Sequence, residues 1–196
     1  MKDRARYYPN LRSYTSVYTN QFPISGGEQL PVTVEQIRAL REQTGAGIME
    51  CKQALEEHDG DLNKSAEGLR QKGFSQAAKR AGRETSEGVI EAYIHTGNRV
   101  GALVELGCET DFVARTPEFK ELAHNIAMQV AAMAPAYLDE SDMDEDDSRP
   151  AGQVTLLQQP FLKDNSMSVS EVVQEMAAKV GENVKLVRFS RLALEE

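Results

Sequence analysis

Apolar positions change their period three times along the chain, and each change marks a different kind of element. From 32 to 73 the spacing is helical. Thr33 and Gln36 form a capping box, and Val34, Ile37 and Leu40 follow as one stripe, ended by Thr44-Gly45-Ala46-Gly47. Ile48, Cys51 and Leu55 mark a second helix, and His58-Asp59-Gly60 a turn. Asp61 is placed to cap a third helix, with Leu62, Ala66 and Leu69 on one face and Gly73 as its stop. The period then shortens to two. Ile90, Ala92 and Ile94 alternate with Val89, Glu91 and Tyr93, Thr96-Gly97-Asn98 turns the chain, and Val100, Ala102, Val104 and Leu106 alternate on the return. Helical spacing resumes after the Thr116 cap and Pro117, through Phe119, Leu122, Ala123, Ile126 and Val130 to Pro135. Ser168 with Glu171 opens a last helix carrying Val172, Val173, Met176 and Val180, which Gly181 ends. Residues 183 to 192 read as a strand, whose Lys185, Arg188 and Arg191 suit an exposed edge.

Two hairpin strands, one late strand and two long helices predict an α+β core: a three-stranded antiparallel sheet with helices on one face. The chain divides into an arm (1–31), a three-helix unit (32–73), a connector (74–87) and the core (88–196). The three-helix unit is marginal alone by surface-to-volume scaling, so it is expected to rest on the core or act as a docking head. The connector holds Lys79, Arg80 and Arg83 among alanines, as a short polar helix running into a glycine-containing link. The arm carries Lys2, Arg4, Arg6 and Arg12 with four tyrosines and no helical repeat, which reads as disorder. It suits a flexible tail, an upstream start, or an organelle transit peptide.

An acidic loop is expected over 139–150, since seven of the nine residues from Asp139 to Asp147 are acidic. Such a run repels itself and stays solvated, as a tether does. Asp142, Asp144 and Asp146 alternate as in a calcium loop, but Asp147 stands where glycine is needed and Gln153 where glutamate is needed. No metal is expected.

Charge narrows the partners. A net charge of −9 argues against non-specific grip on phosphate backbones and leaves another protein as the natural partner. No apolar run approaches the roughly 18 residues of a membrane span. Cys51 and Cys108 read as reduced, buried thiols, and His58, His95 and His124 are too scattered for zinc. No phosphate loop occurs, and Thr44-Gly45-Ala46-Gly47 lacks the glycine spacing to replace one. Neither a cofactor nor covalent chemistry is expected.

Three motifs in order resemble one family. The stretch from Leu40 to Leu55 (LREQTGAGIMECKQAL), continued by Gly60-Asp61 and Leu69-Arg70-Gln71-Lys72-Gly73, resembles the amino-terminal signature of elongation factor Ts. Glu109-Thr110-Asp111-Phe112-Val113-Ala114-Arg115 matches its TDFVA motif, and Lys179-Val180-Gly181-Glu182-Asn183-Val184 resembles its carboxy-terminal segment. The match runs from Val32 to about Leu192. The chain has one copy of the sheet unit that longer members carry twice, and lacks their coiled-coil insertion.

That resemblance implies a translation factor that releases GDP from elongation factor Tu, in the cytoplasm or, with a transit peptide, an organelle matrix. It implies that Thr110, Asp111, Phe112 and Val113 face the partner, Phe112 wedging into its nucleotide-binding domain to shift the elements that hold magnesium and phosphate. Arg41, Ile48 and Met49 would form a second contact surface. Short members pair through their sheets, which implies a homodimer. Residue types alone favour a different picture, with Phe112 packed inside its own subunit and Asp111 capping the next helix. Helical geometry places Met49 about 100° from Ile48, so at least one of them faces outward. Residues 32 to 73 also look like a ubiquitin-associated bundle, which keeps a generic helical docking module as the alternative. An enzyme using Asp, Glu and His in a cleft has no motif to support it.

Overall fold

The computed structural model describes residues 32–194, and the arm expected over 1–31 lies outside the described residues. The first three helices are α1 (Val34–Thr44), α2 (Ile48–Glu57) and α3 (Leu62–Arg80). Thr33 and Gln36 do form the capping box: the Gln36 N–H donates to Thr33 Oγ1 at 3.2 Å, and the Thr33 N–H to Gln36 Oε1 at 2.9 Å. Gly45 ends α1 at φ +69°, a conformation that favours glycine. Asp61 caps α3 by accepting from the N–H groups of Asn63 and Lys64, both at 3.0 Å. Leu40, Cys51 and Leu55 are fully buried at the centre of this bundle.

Three details of the bundle differ from the pattern read in the sequence. Val34 and Ile48 are exposed, and Ala54 takes the inward place beside Cys51 and Leu55. A bundle this small encloses too little volume to cover every apolar residue on each stripe. The third difference is α3, which runs on past Gly73 to Arg80 over 19 residues. Gly73 is a packing glycine rather than a stop. α3 lies against α7 (Val169–Val180) there, and a Cβ on Gly73 would sit 2.9 Å from that of Ala178. One turn later Ala77 is buried in the main core, and Arg80 donates to the Ala177 carbonyl at 3.4 Å. One helix therefore begins in the small core and ends in the large one.

The main sheet is antiparallel in the order β1-β2-β5, from β1 (Glu87–Ile94), β2 (Val100–Cys108) and β5 (Val184–Ala193). Gly97 and Asn98 take positive φ in the hairpin turn, +93° and +55°. Val104, Leu106, Val184 and Leu186 face α5 (Pro117–Met133) and α7. Every apolar residue on the expected α5 stripe is buried. Thr116 caps α5 by accepting from the Phe119 N–H at 3.3 Å. In α7 the Ser168–Glu171 capping box forms, and Gly181 ends the helix at φ +74°.

Val187 is an extra residue in β5: Leu106 pairs with Leu186, but Glu105 pairs with Arg188. This bulge shifts the alternation by one, so that Phe189 packs inward after Leu186. The opposite face of the sheet is bare and carries an apolar patch, with Ile90, Ile94, Leu103 and Leu192 exposed beside the Glu105–Arg188 ion pair. Among the described residues β5 pairs only with β2, so its outer edge is open.

Between α5 and α7 the chain forms elements that no period announced: α6 (Ala151–Val154) and a small hairpin of β3 (Pro160–Phe161) and β4 (Asp164–Ser168). Two buried amides fix this region. Gln129 donates to Gln159 Oε1 and to the Pro160 carbonyl, both at 3.1 Å, and accepts from the Leu162 N–H at 2.7 Å. The acidic segment is less free than a tether. Asp139 opens a 3-10 turn over Glu140–Asp142, Tyr137 donates to Asp144 at 3.1 Å, and Arg149 pairs with Asp147. No helix among the described residues is long and apolar enough to cross a membrane.

Candidate functional site

The end of β2 turns sharply into a helix of one turn, α4 (Asp111–Ala114). This corner sorts its side chains by direction. Val113 and Ala114 go into the main core, while the Phe112 ring stands in solvent at 82% exposure. Large aromatics are usually covered, so a bare ring on a one-turn helix is the outstanding feature of this surface. It rules out the reading in which Phe112 packs inside its own subunit. Asp111, half-buried, pairs with the exposed Arg115 across the turn at 2.9 Å. Cys108, just before the corner, is buried and donates to the Thr110 carbonyl at 3.2 Å. Burial pushes its thiol up, with the nearby Glu182 carboxylate adding to the shift, which suits an inert residue.

Support for the corner comes from the turn between α7 and β5. Glu182 Oε2 accepts from the N–H groups of Glu109 and Thr110 at 3.2 and 3.0 Å, and its Oε1 accepts from the Thr110 hydroxyl at 2.6 Å. The Glu109 carboxylate answers by accepting from the Asn183 N–H at 2.6 Å and from Arg83 at 3.3 Å. The Asn183 N–H, then Arg83, hold the Glu109 carboxyl below the usual carboxylate range. Asn183 Nδ2 donates to the Arg83 and Ala81 carbonyls at 2.7 and 3.3 Å. Three segments distant in sequence thus meet at the end of β2, just before Phe112.

The family model described as "Elongation factor TS" matches residues 75–150. Curated relatives match over more of the chain. The elongation factor Ts of Carboxydothermus hydrogenoformans is 44% identical, with 84% of this chain and 90% of that protein covered. That of Pseudothermotoga lettingae is 42% identical, with 85% of this chain and all of that protein covered. The chain belongs to the elongation factor Ts family. It is accordingly a translation elongation factor, as its motifs implied.

Against the elongation factor Ts signature, the structure distributes the expected site residues unevenly. Phe112 is fully presented, and Asp111 flanks it in a pair with Arg115. Thr110 is partly covered and its hydroxyl is taken by Glu182. Val113 is buried and anchors the corner from below. Arg41 lies exposed near the end of α1, and both Ile48 (58%) and Met49 (71%) are exposed at the start of α2. Sequence reasoning required only one of those two to face outward.

The residues it missed are Glu109, Glu182, Asn183 and Arg83. Glu109, Glu182 and Asn183 lie within two of the three motifs that carried the family resemblance, and that was the available signal. Their mutual contact is what no spacing could reveal.

Proposed function

We propose that this chain releases GDP from elongation factor Tu by pressing Phe112 into that protein's nucleotide-binding domain, displacing the elements that hold magnesium and phosphate. The bare, backbone-held Phe112 ring carries this reading. A rigid aromatic ring already in water loses little on transfer to a partner and can displace packed side chains there. No bond is made or broken. A partner that binds the nucleotide-free state more tightly weakens nucleotide binding by the same factor, because the coupling is reciprocal.

In this reading residues 32 to 73 form a ubiquitin-associated-like docking head in the cytoplasmic factor, with Arg41, Ile48 and Met49 as its contact surface. Exposed apolar residues at the start of α2 support that role. Residues 74 to 87 connect it to the core, and the bare face of the sheet supports pairing of two copies.

The test is release of labelled GDP from elongation factor Tu at saturating factor. Phe112→Ala is expected to fold as the wild type does. As an interface hot spot worth about 2–4 kcal/mol, its loss should slow release roughly thirty- to several-hundred-fold. Unchanged release would remove Phe112 from the mechanism. Since α3 is continuous to Arg80, the docking head is probed by substitution rather than truncation. Ile48→Glu with Met49→Glu should raise the concentration needed for half-maximal release and leave the maximal rate in place.

A further inference from the structure

We infer that Glu182 is a positioning residue for Phe112: its carboxylate holds the strand-to-helix corner from beneath and sets the direction in which the ring projects. The inference rests on the reading of Phe112 as the wedge.

The argument begins with what Phe112 lacks. A ring at 82% exposure has almost no packing of its own to fix its direction, so its aim is set by the backbone that carries it. That backbone is a helix of four residues whose internal support is slight: Arg115 N–H to the Asp111 carbonyl at 3.1 Å and Ala114 N–H to the Thr110 carbonyl at 3.3 Å. The first N–H groups of any helix have no partner inside it, and Thr110 at the N-cap makes no side-chain capping bond. Its hydroxyl is turned away to Glu182.

One carboxylate instead fixes the two residues that lead into this helix, Glu109 and the N-cap Thr110. Glu182 accepts three hydrogen bonds from two consecutive residues, and bonds to an ionised acceptor are shorter and roughly twice as strong as neutral ones. Gly181 makes this possible. By ending α7 in the left-handed conformation it turns the chain so that Glu182 reaches back under the corner. The next residue, Asn183, locks the same turn from the other side through Glu109. The brace is reciprocal and joins positions 72 to 74 residues apart, so it forms only when the sheet is complete.

The experiment combines a double-mutant cycle on maximal GDP release from elongation factor Tu with amide hydrogen exchange on the free factor. Glu182→Ala should lower the maximal rate at least tenfold and change the half-saturating concentration less than threefold. Glu182→Gln keeps an acceptor for the two N–H groups and a donor for the Thr110 hydroxyl, and should restore the rate to within threefold of wild type. The double variant with Phe112→Ala should release GDP no more slowly than Phe112→Ala alone. In the free factor, Glu182→Ala should speed exchange at residues 109–115 at least tenfold and leave α5 unchanged.

A double variant that loses the product of the two single effects would overturn the inference, since Glu182 would then act apart from the ring. So would unchanged exchange at 109–115. If Glu182→Ala fails to fold, Glu182→Asp is read in the same cycle, because the shorter side chain withdraws the carboxylate while keeping its charge. Normal release by Phe112→Ala, with exchange at 109–115 still accelerated in Glu182→Ala, would sink the wedge and leave the brace as a structural fact. Impaired release by Phe112→Ala with full activity in Glu182→Ala would leave the wedge standing and remove Glu182.

Discussion

Glu109 and Phe112 stand three residues apart, and the sequence speaks differently about each. Phe112 looks like a core residue by type, and only the surrounding motif argues that it faces out. Its exposure follows from the corner: with Val113 and Ala114 directed into the core, a one-turn helix leaves Phe112 on the opposite side. Glu109 looks like an ordinary surface acid, yet it accepts from Asn183 and Arg83 and its carboxyl is held low by them. A carboxylate whose folded pKa is depressed adds stability above its unfolded value, near 4.3, and loses that contribution as pH falls through the folded value. Glu109→Gln should therefore flatten the loss of stability between about pH 5 and pH 3. Urea midpoints across that range check this, and identical slopes for the two proteins would show that Glu109 is not linked to folding. Such a residue was illegible beforehand because its partners lie far along the chain.

At the scale of elements, the regular pieces were readable and the irregular ones were not. The α5 stripe, both capping boxes and the hairpin alternation each rest on a period or a short-range hydrogen bond, which a sequence displays directly. The bulge at Val187 is invisible in the sequence because one extra residue in β5 has meaning only against β2. Pro160–Phe161 is too short a strand to show any period. Gly73 misled for a related reason: glycine ends helices often, but here it admits a neighbouring helix. That reading is checkable. Gly73→Ala ordinarily favours an exposed helix by roughly 1 kcal/mol, but in this place it should lower the urea midpoint by crowding Ala178. Adding Ala178→Gly should recover more stability than the two separate changes predict. A more stable Gly73→Ala protein would mean that α3 and α7 do not press together there.

For the whole molecule, the division of the sheet into a packed face and a bare one matters most. Ile90, Ile94, Leu103 and Leu192 form an apolar surface that none of the other described residues covers. Pairing of two copies is the proposed solution, and a twofold interface would use this patch against itself. Leu103→Glu, at the centre of β2, should convert a dimer to a monomer in sedimentation at micromolar concentration, with the far-ultraviolet circular dichroism unchanged. A wild-type protein that sediments as a monomer would rule out this arrangement. The α+β class and the order of the long helices and the three main strands followed from periodicity. The bare face did not, because alternation shows that a strand has two sides and is silent on which one is covered.

The junction that flanks the acidic segment has its own consequence. Tyr137 and Thr155 form a parallel bridge, with the Leu156 N–H donating to the Tyr137 carbonyl at 2.9 Å, so the chain leaves and re-enters the body at one place. Whatever lies between is a cul-de-sac whose mouth is already closed. Doubling the length of such an excursion adds only about 0.6 kcal/mol of closure entropy. Evolution, or a protein engineer, is thus free to graft a whole extra module near Glu145 while the Phe112 corner stays as it is.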